Sequence, residues 1–207
     1  MRSVLIFVPG ILTFPGDGRN WSGRAVSWTH NHSGACAEKV EYFCGPIGRA
    51  FGQRERSRKL FHTLDQYRDN WNITLVGHSN GAAVILDCFD YPCPQIHSLH
   101  LVCGACESSF HANGLNDRLQ KDDIGQIAVY VAGKDMMLAL AHSWAGRFLG
   151  YGILGLHGPK HVSPMIADRV RTITWPAFGH SDCWSDDYLD ETLENFLPSA
   201  GTRSFSA

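Results

Sequence analysis

The 207-residue sequence contains no apolar run near the ~18 residues that a membrane span needs, so no transmembrane segment is expected. Charge is also scarce. Asp, Glu, Lys and Arg make up 18% of the chain, against about 25% in an average soluble domain. Disorder requires low hydrophobicity with high net charge, and a chain that is 44% hydrophobic with a formal charge of −2 has neither. Nor is there a basic excess, which excludes the electrostatic footprint of a nucleic-acid binder. The one local basic run (Arg54, Arg56, Arg58, Lys59) is interrupted by Glu55 and reads as a solvated helix face. No secretory leader is expected either, because Pro9-Gly10 cuts short the apolar stretch Ser3–Val8. A cytoplasmic location is therefore expected, in which the Asn-x-Ser/Thr sites at Asn20, Asn31 and Asn72 carry no glycan.

Seven cysteines cannot all pair within the chain, and in a reducing compartment they read as small buried apolar residues. Cys103-Gly104-Ala105-Cys106 has the spacing of a redox motif but ends an apolar run instead of opening a helix. Cys88, Cys93, Cys103 and Cys106 would make a zinc set only with unequal spacings drawn from a helix and a strand end. A redox or metal module is kept as a minor alternative.

Short apolar runs alternate with helix-like stretches from end to end. Strands are expected at Ser3–Val8, Val40–Cys44, Asn72–Val76, His97–Val102, Gln126–Ala132 and Arg169–Trp175, the last as an edge. Leu60, Leu64, Tyr67 and Trp71 form one helical stripe, Gly81–Phe89 is a helix apolar nearly all round, and Leu189, Leu193 and Phe196 mark a final helix. Alternation of this kind implies an α/β fold, with a mostly parallel sheet of about six strands and helices on both faces. A single domain over residues 1–197 is expected, with a Ser/Gly-rich tail at 198–207 that frays. In such sheets chemistry sits beyond the carboxyl ends of the strands.

There the sequence offers Gly77-His78-Ser79-Asn80-Gly81, between an expected strand and an expected buried helix. This is the strand–turn–helix setting of a nucleophile elbow. Serine there occupies strained backbone, and the two glycines are expected to face each other where side chains would collide. A serine hydroxyl needs a base, and the base an acid to orient it. Asp135, after Gly133-Lys134 at a strand end, is the candidate acid, with Glu107 as runner-up. Of eleven histidines, His180 follows the last strand, and Gly179 is read as freeing the backbone to aim it. His78 is set aside, since it cannot fold back onto its neighbour's hydroxyl. An oxyanion would be held by the backbone N–H of Asn80 and by that of Ile11, or Leu12, in the loop opened by Pro9-Gly10. A plain Pro-Gly turn is the simpler reading of that loop.

With Ser79, Asp135 and His180 in that chain order, the sequence resembles the α/β-hydrolase superfamily, in its small lidless lipase/esterase form. The resemblance spans nearly the whole chain. It implies a serine esterase needing no cofactor and acting on an acyl ester, with a thioesterase, a peptidase or a non-catalytic binding protein on the same fold as alternatives. Pro9-Gly10 stands where many relatives have His-Gly, and the first two strands of the family are missing. The stretch 107–125 is too short for a cap domain. Capped epoxide and haloalkane hydrolases, which use a carboxylate nucleophile, are thereby disfavoured. Met136–Leu140 and Trp144–Leu156, with glycines at 146, 150, 152 and 155, form either a flexible apolar wall beside the site or plain core. Trp21 and Trp28, in what reads as a long loop, are candidates to join that wall.

Overall fold

The computed structural model describes residues 2–11, 20–44, 52–142 and 151–197. The expected tail at 198–207, Leu12, and the part of the apolar segment that holds Trp144, Gly146 and Gly150 lie outside these residues. Six strands form one sheet: β1 (Arg2–Val8), β2 (Cys36–Lys39), β3 (Trp71–His78), β4 (Ile96–Val102), β5 (Ile124–Ala132) and β6 (Val170–Trp175). Their order is β2-β1-β3-β4-β5-β6, and every pair is parallel. The chain therefore starts one strand in from the edge, steps out to the edge strand β2, then returns to the other side of β1. That reversal opens a crevice beyond the carboxyl ends of β1 and β3, where ligands bind in sheets of this kind.

Among the described residues seven α-helices accompany the strands: α1 (Trp21–His32), α2 (Gln53–Asp65), α3 (Asn80–Cys88), α4 (Leu115–Gln120), α5 (Met136–Ala141), α6 (Leu154–His157) and α7 (Leu189–Glu194). Alternate residues of β1 serve opposite faces, as the strand period of two requires. Val4, Ile6 and Val8 join Leu60, Leu64, Ala82 and Ile85 on the α2–α3 side, whereas Leu5 and Phe7 join Ala25, Trp28, Leu193 and Phe196 on the α1–α7 side. Covered on both faces, β1 reads as an unbroken apolar run. Among the described residues no cap domain interrupts the sheet; α4 is the only α-helix between β4 and β5.

Three sequence expectations change. The second strand is Cys36–Lys39 and not Val40–Cys44. Val40, Tyr42 and Cys44 are buried and alternate with exposed residues; Val40 N–H still donates to the β1 ladder, at Phe7 O, and Cys44 forms a single bridge, but no strand runs between them. The helical stripe stops at Asp65, and Trp71 begins β3. The supposed long loop around Trp21 and Trp28 is helix α1, capped by Asn20 Oδ1 accepting from Gly23 N–H at 2.9 Å. Trp28 is buried beneath the sheet, so it forms no wall beside the site.

Candidate active site

Ser79 links β3 to α3 in a backbone conformation of φ 54° and ψ −123°. A positive φ is costly for a residue with a Cβ, and such strain is kept where surrounding structure over-determines it. The surroundings here do so. Ser79 N–H donates to Val102 O at 3.0 Å, and Ser79 O accepts from Ala105 N–H at 2.9 Å and Ala82 N–H at 3.2 Å.

The flanking glycines are required, though not because they face each other. A Cβ on Gly77 would lie 2.5 Å from Ile85 Cδ1 and 3.0 Å from Ala82 Cα, inside α3. One on Gly81 would strike Val8 O and sit 2.7 Å from Pro9 O. Gly77 thus lets α3 press on the sheet, while Gly81 lets α3 press on the end of β1. A Cβ on Gly10 would lie 2.8 Å from Ser79 Cβ and 3.3 Å from Ser79 Oγ, so the loop after β1 rests directly on the serine. Among the described residues the Ser79 hydroxyl and the backbone N–H groups of Ile11 and Asn80 form no hydrogen bond.

Asp135 and His180 come together across 45 positions of sequence. His180 Nδ1 lies 2.7 Å from Asp135 Oδ2, the carboxylate fully buried and the imidazole side chain 14% exposed. The other oxygen, Asp135 Oδ1, accepts from Leu138 N–H at 2.8 Å and so caps α5. The carboxylate is held at both ends, by a helix and by an imidazole. Glu107 is turned elsewhere, accepting from Ser109 N–H at 2.9 Å. Gly179 plays no steric part: a Cβ there would make only ordinary contacts with Asp182, whose Oδ2 accepts from Gly179 N–H at 2.7 Å.

Sequence reading passed over His78. Its Nε2 lies 2.9 Å from His180 O, and its ring is buried, edge-on to Trp21 and Trp184 with centroids at 5.7 and 5.6 Å. Trp21 and Trp184 stack on each other at 3.9 Å. Burial and then the neighbouring His180 pull the His78 pKa down to about 3, so the ring is neutral at ordinary pH. A carbonyl can only accept, so Nε2 carries the proton.

The segment expected to form an apolar wall divides in two. Met136, Met137 and Leu140 are exposed on α5. Gly152 and Gly155 instead let the chain lie flat on residues 103–107, with Gly155 N–H donating to Gly104 O at 2.9 Å and Gly152 N–H to Ala105 O at 3.2 Å. Those glycines serve close packing rather than flexibility.

The four-cysteine zinc set does not assemble. Cys88 and Cys93 meet at 3.5 Å at the far end of α3, while Cys103 and Cys106 are buried at its start. Among the described residues the one group with metal-ligand proximity is His78, Cys103 and His180, their donor atoms within 4.8 Å of one another. Its members have other ties: His78 to a carbonyl, His180 to Asp135, and Cys103 to the Cys183 thiol, which together with burial pushes the Cys103 pKa well up. No helix among the described residues is long and apolar enough to cross a membrane.

No family model and no curated protein matches the sequence. Solved structures do match. A candidate hydrolase from Agrobacterium vitis S4 aligns over 94% of this chain and 86% of its own, with a TM-score of 0.59 and 12% identity. The ydeN gene product of B. subtilis aligns over 95% and 98%, with a TM-score of 0.57 and 15% identity. Alpha/beta hydrolase domain-containing protein 10 from mouse aligns over 93% and 87%, with a TM-score of 0.55 and 13% identity. The chain has the α/β-hydrolase fold. Within that fold Ser79 follows a central strand, Asp135 follows β5 and His180 follows β6. A fold hosts many functions, so the activity must be argued from the site.

Proposed function

We propose that this α/β-hydrolase-fold protein is a serine hydrolase of carboxylic esters, working through an acyl-enzyme. The observation that carries the reading is the strained Ser79 backbone at a strand-to-helix turn, in the same chain as a 2.7 Å Asp135–His180 pair. A serine held at φ 54° is costly, and strain of this kind gathers at active sites, which supports a role for its hydroxyl.

Ser79 Oγ attacks the acyl carbon while His180 Nε2 takes the hydroxyl proton. Asp135 holds His180 Nδ1–H, fixing the tautomer and stabilising the imidazolium. The Ser79–His180 hydrogen bond closes in the substrate complex, as such bonds commonly do. The Ile11 and Asn80 N–H groups receive the oxyanion, aided by the positive end of α3; a donor of this kind is worth roughly 2.7–4 kcal/mol of barrier. The tetrahedral intermediate collapses and expels the alcohol, which leaves with the proton from His180. Water then attacks the acyl-enzyme by the same steps in reverse roles. These steps need no cofactor.

The test compares an ester, a thioester and an anilide of one acyl group, for the wild-type protein and Ser79→Ala. Ester turnover that vanishes in the variant is expected. Faster thioester or anilide turnover would transfer the reading to a thioesterase or peptidase. Absence of turnover on all three would favour a binding protein on the same fold.

A further inference from the structure

The segment from Pro176 to Ser181, which carries the base, lies outside helix and strand. It is held by Lys134 N–H to Phe178 O at 2.9 Å, Phe178 N–H to Trp175 O at 3.2 Å, close packing of Gly133 on the Pro176 backbone, Gly179 N–H to Asp182 Oδ2, and the carboxylate on His180 itself. One further tie differs in kind. His78 ends β3, a strand paired on both sides by β1 and β4, and its Nε2–H reaches across 102 positions to His180 O at 2.9 Å. We infer that His78 is a positioning residue, which sets the place of the base through the main-chain carbonyl of His180, a role that rests on the serine-hydrolase reading above.

Three features suit His78 to this task. It adjoins the nucleophile, so one rigid strand end fixes both the serine and the base. Its ring has no room to swing: Trp21 and Trp184 enclose it edge-on, and the His180 ring lies 4.9 Å away at a tilt of 44°. Being neutral, it keeps one defined donor and places no positive charge beside an imidazole that must itself become cationic. Asp135 fixes the His180 side chain from one end while His78 fixes its backbone from the other. Loss of the second anchor leaves the Asp135 bond possible but lets the imidazole drift, and a misplacement of about 1 Å costs on the order of 100-fold in rate.

The experiment uses the full chain with His78→Leu and His78→Gln, Gln carrying an N–H donor near the place of Nε2. Readouts are kcat and KM on a p-nitrophenyl ester, the rate of fluorophosphonate labelling, and the low-field NMR resonance of the His180 Nδ1 proton. His78→Leu is expected to lower kcat and labelling roughly 10- to 100-fold with KM changed by less than about 2-fold, and to shift or broaden the resonance. His78→Gln is expected to restore most of kcat and the resonance. His78→Phe, which fills the aromatic nest without offering a donor, is read in the same way should the Leu variant not fold. Equal behaviour of donor-bearing and donor-free variants would overturn the inference, as would collapse of both donor-free variants. If the wild-type protein neither turns over ester nor takes the label, the serine-hydrolase reading fails. The resonance then still decides whether His78 places His180: moved in Leu and retained in Gln supports it, and unmoved in both overturns it.

Discussion

The turn that carries Ser79, the proposed nucleophile, and the segment that carries His180, the proposed base, differ in what fixes each residue. Close backbone packing fixes the elbow: Gly77 against α3, Gly81 against the carbonyls of Val8 and Pro9, and Gly10 against Ser79. The histidine segment is anchored at its start by Gly133 against the Pro176 backbone and by Lys134 N–H to Phe178 O, but around His180 itself it is fixed by single hydrogen bonds to the side chains of Asp135, Asp182 and His78. Crowding makes the first intolerant of one added methyl group. At Gly179 the second should accept such a change and instead fail when one polar atom is removed. A serine at positive φ needs the first kind of support, whereas the proposed base, which must accept and return a proton, is served by the second.

The largest effect is expected at the elbow. Gly81→Ala drives a Cβ into Val8 O, and neither that carbonyl nor the helix can yield without moving β1 or α3. Overpacking of this order costs about 3 kcal/mol or more, visible as a lowered urea midpoint together with lost ester turnover. A stable, active Gly81→Ala protein would break the comparison at its stronger end.

Next comes Asp135→Asn. Asn still caps helices well, so α5 and the urea midpoint should be nearly unchanged, while kcat falls on the order of 10⁴-fold because the base loses its correct tautomer. Asp135→Ala should add a capping loss of about 1 kcal/mol to the same fall. Similar stability of the two variants would show that the cap contributes nothing.

Acid should reach the bridge between the two regions. The pKa of His78 is lowered from 6.5 to about 3 by burial and then by His180, and that of His100 equally by burial and then by Arg171. Above pH 6.5 both are neutral in folded and unfolded chains alike. Between 6.5 and about 3 the unfolded chain binds protons that the fold refuses, so stability falls on acidification. The slope is about 1.4 kcal/mol per pH unit for each group. Urea midpoints at pH 7 and pH 5 check the direction, and His100→Gln should flatten the slope by one group.

The smallest effect is expected for Gly179→Ala. Its Cβ meets nothing closer than 3.4 Å, so stability should stay within about 0.5 kcal/mol and ester turnover should hold near the wild-type level. A large loss of turnover would show that the histidine segment is also fixed by backbone crowding.

The same contrast explains what could be read in the sequence. Five of the six strands stand near their expected places: β1, β3, β4 and β5 because strands buried on both faces are apolar runs, and the half-exposed edge β6 because its β-branched residues alternate. Strand β2 is mixed in composition and only partly buried, so the apolar alternation just after it drew the assignment forward. Helix α1 is rich in weak helix formers, and its signals went unused: the Asn20 cap, then Trp21, Ala25, Trp28 and Thr29 at helical spacing. Crowding writes glycines into the sequence at fixed offsets, which made the elbow legible. The tie from His78 to His180 leaves no such trace, since its partner is a main-chain carbonyl 102 positions away. Gly179 shows the opposite error, a suggestive glycine where the structure requires none.

The central claim is that Ser79 is a nucleophile activated within this chain. Fluorophosphonate labelling, followed by mapping of the modified peptide, tests it most directly. The expected result is one adduct per chain, on Ser79, absent from Ser79→Ala and slowed in Asp135→Asn. Labelling that persists in Ser79→Ala, or a wild-type protein that takes no label, would contradict it.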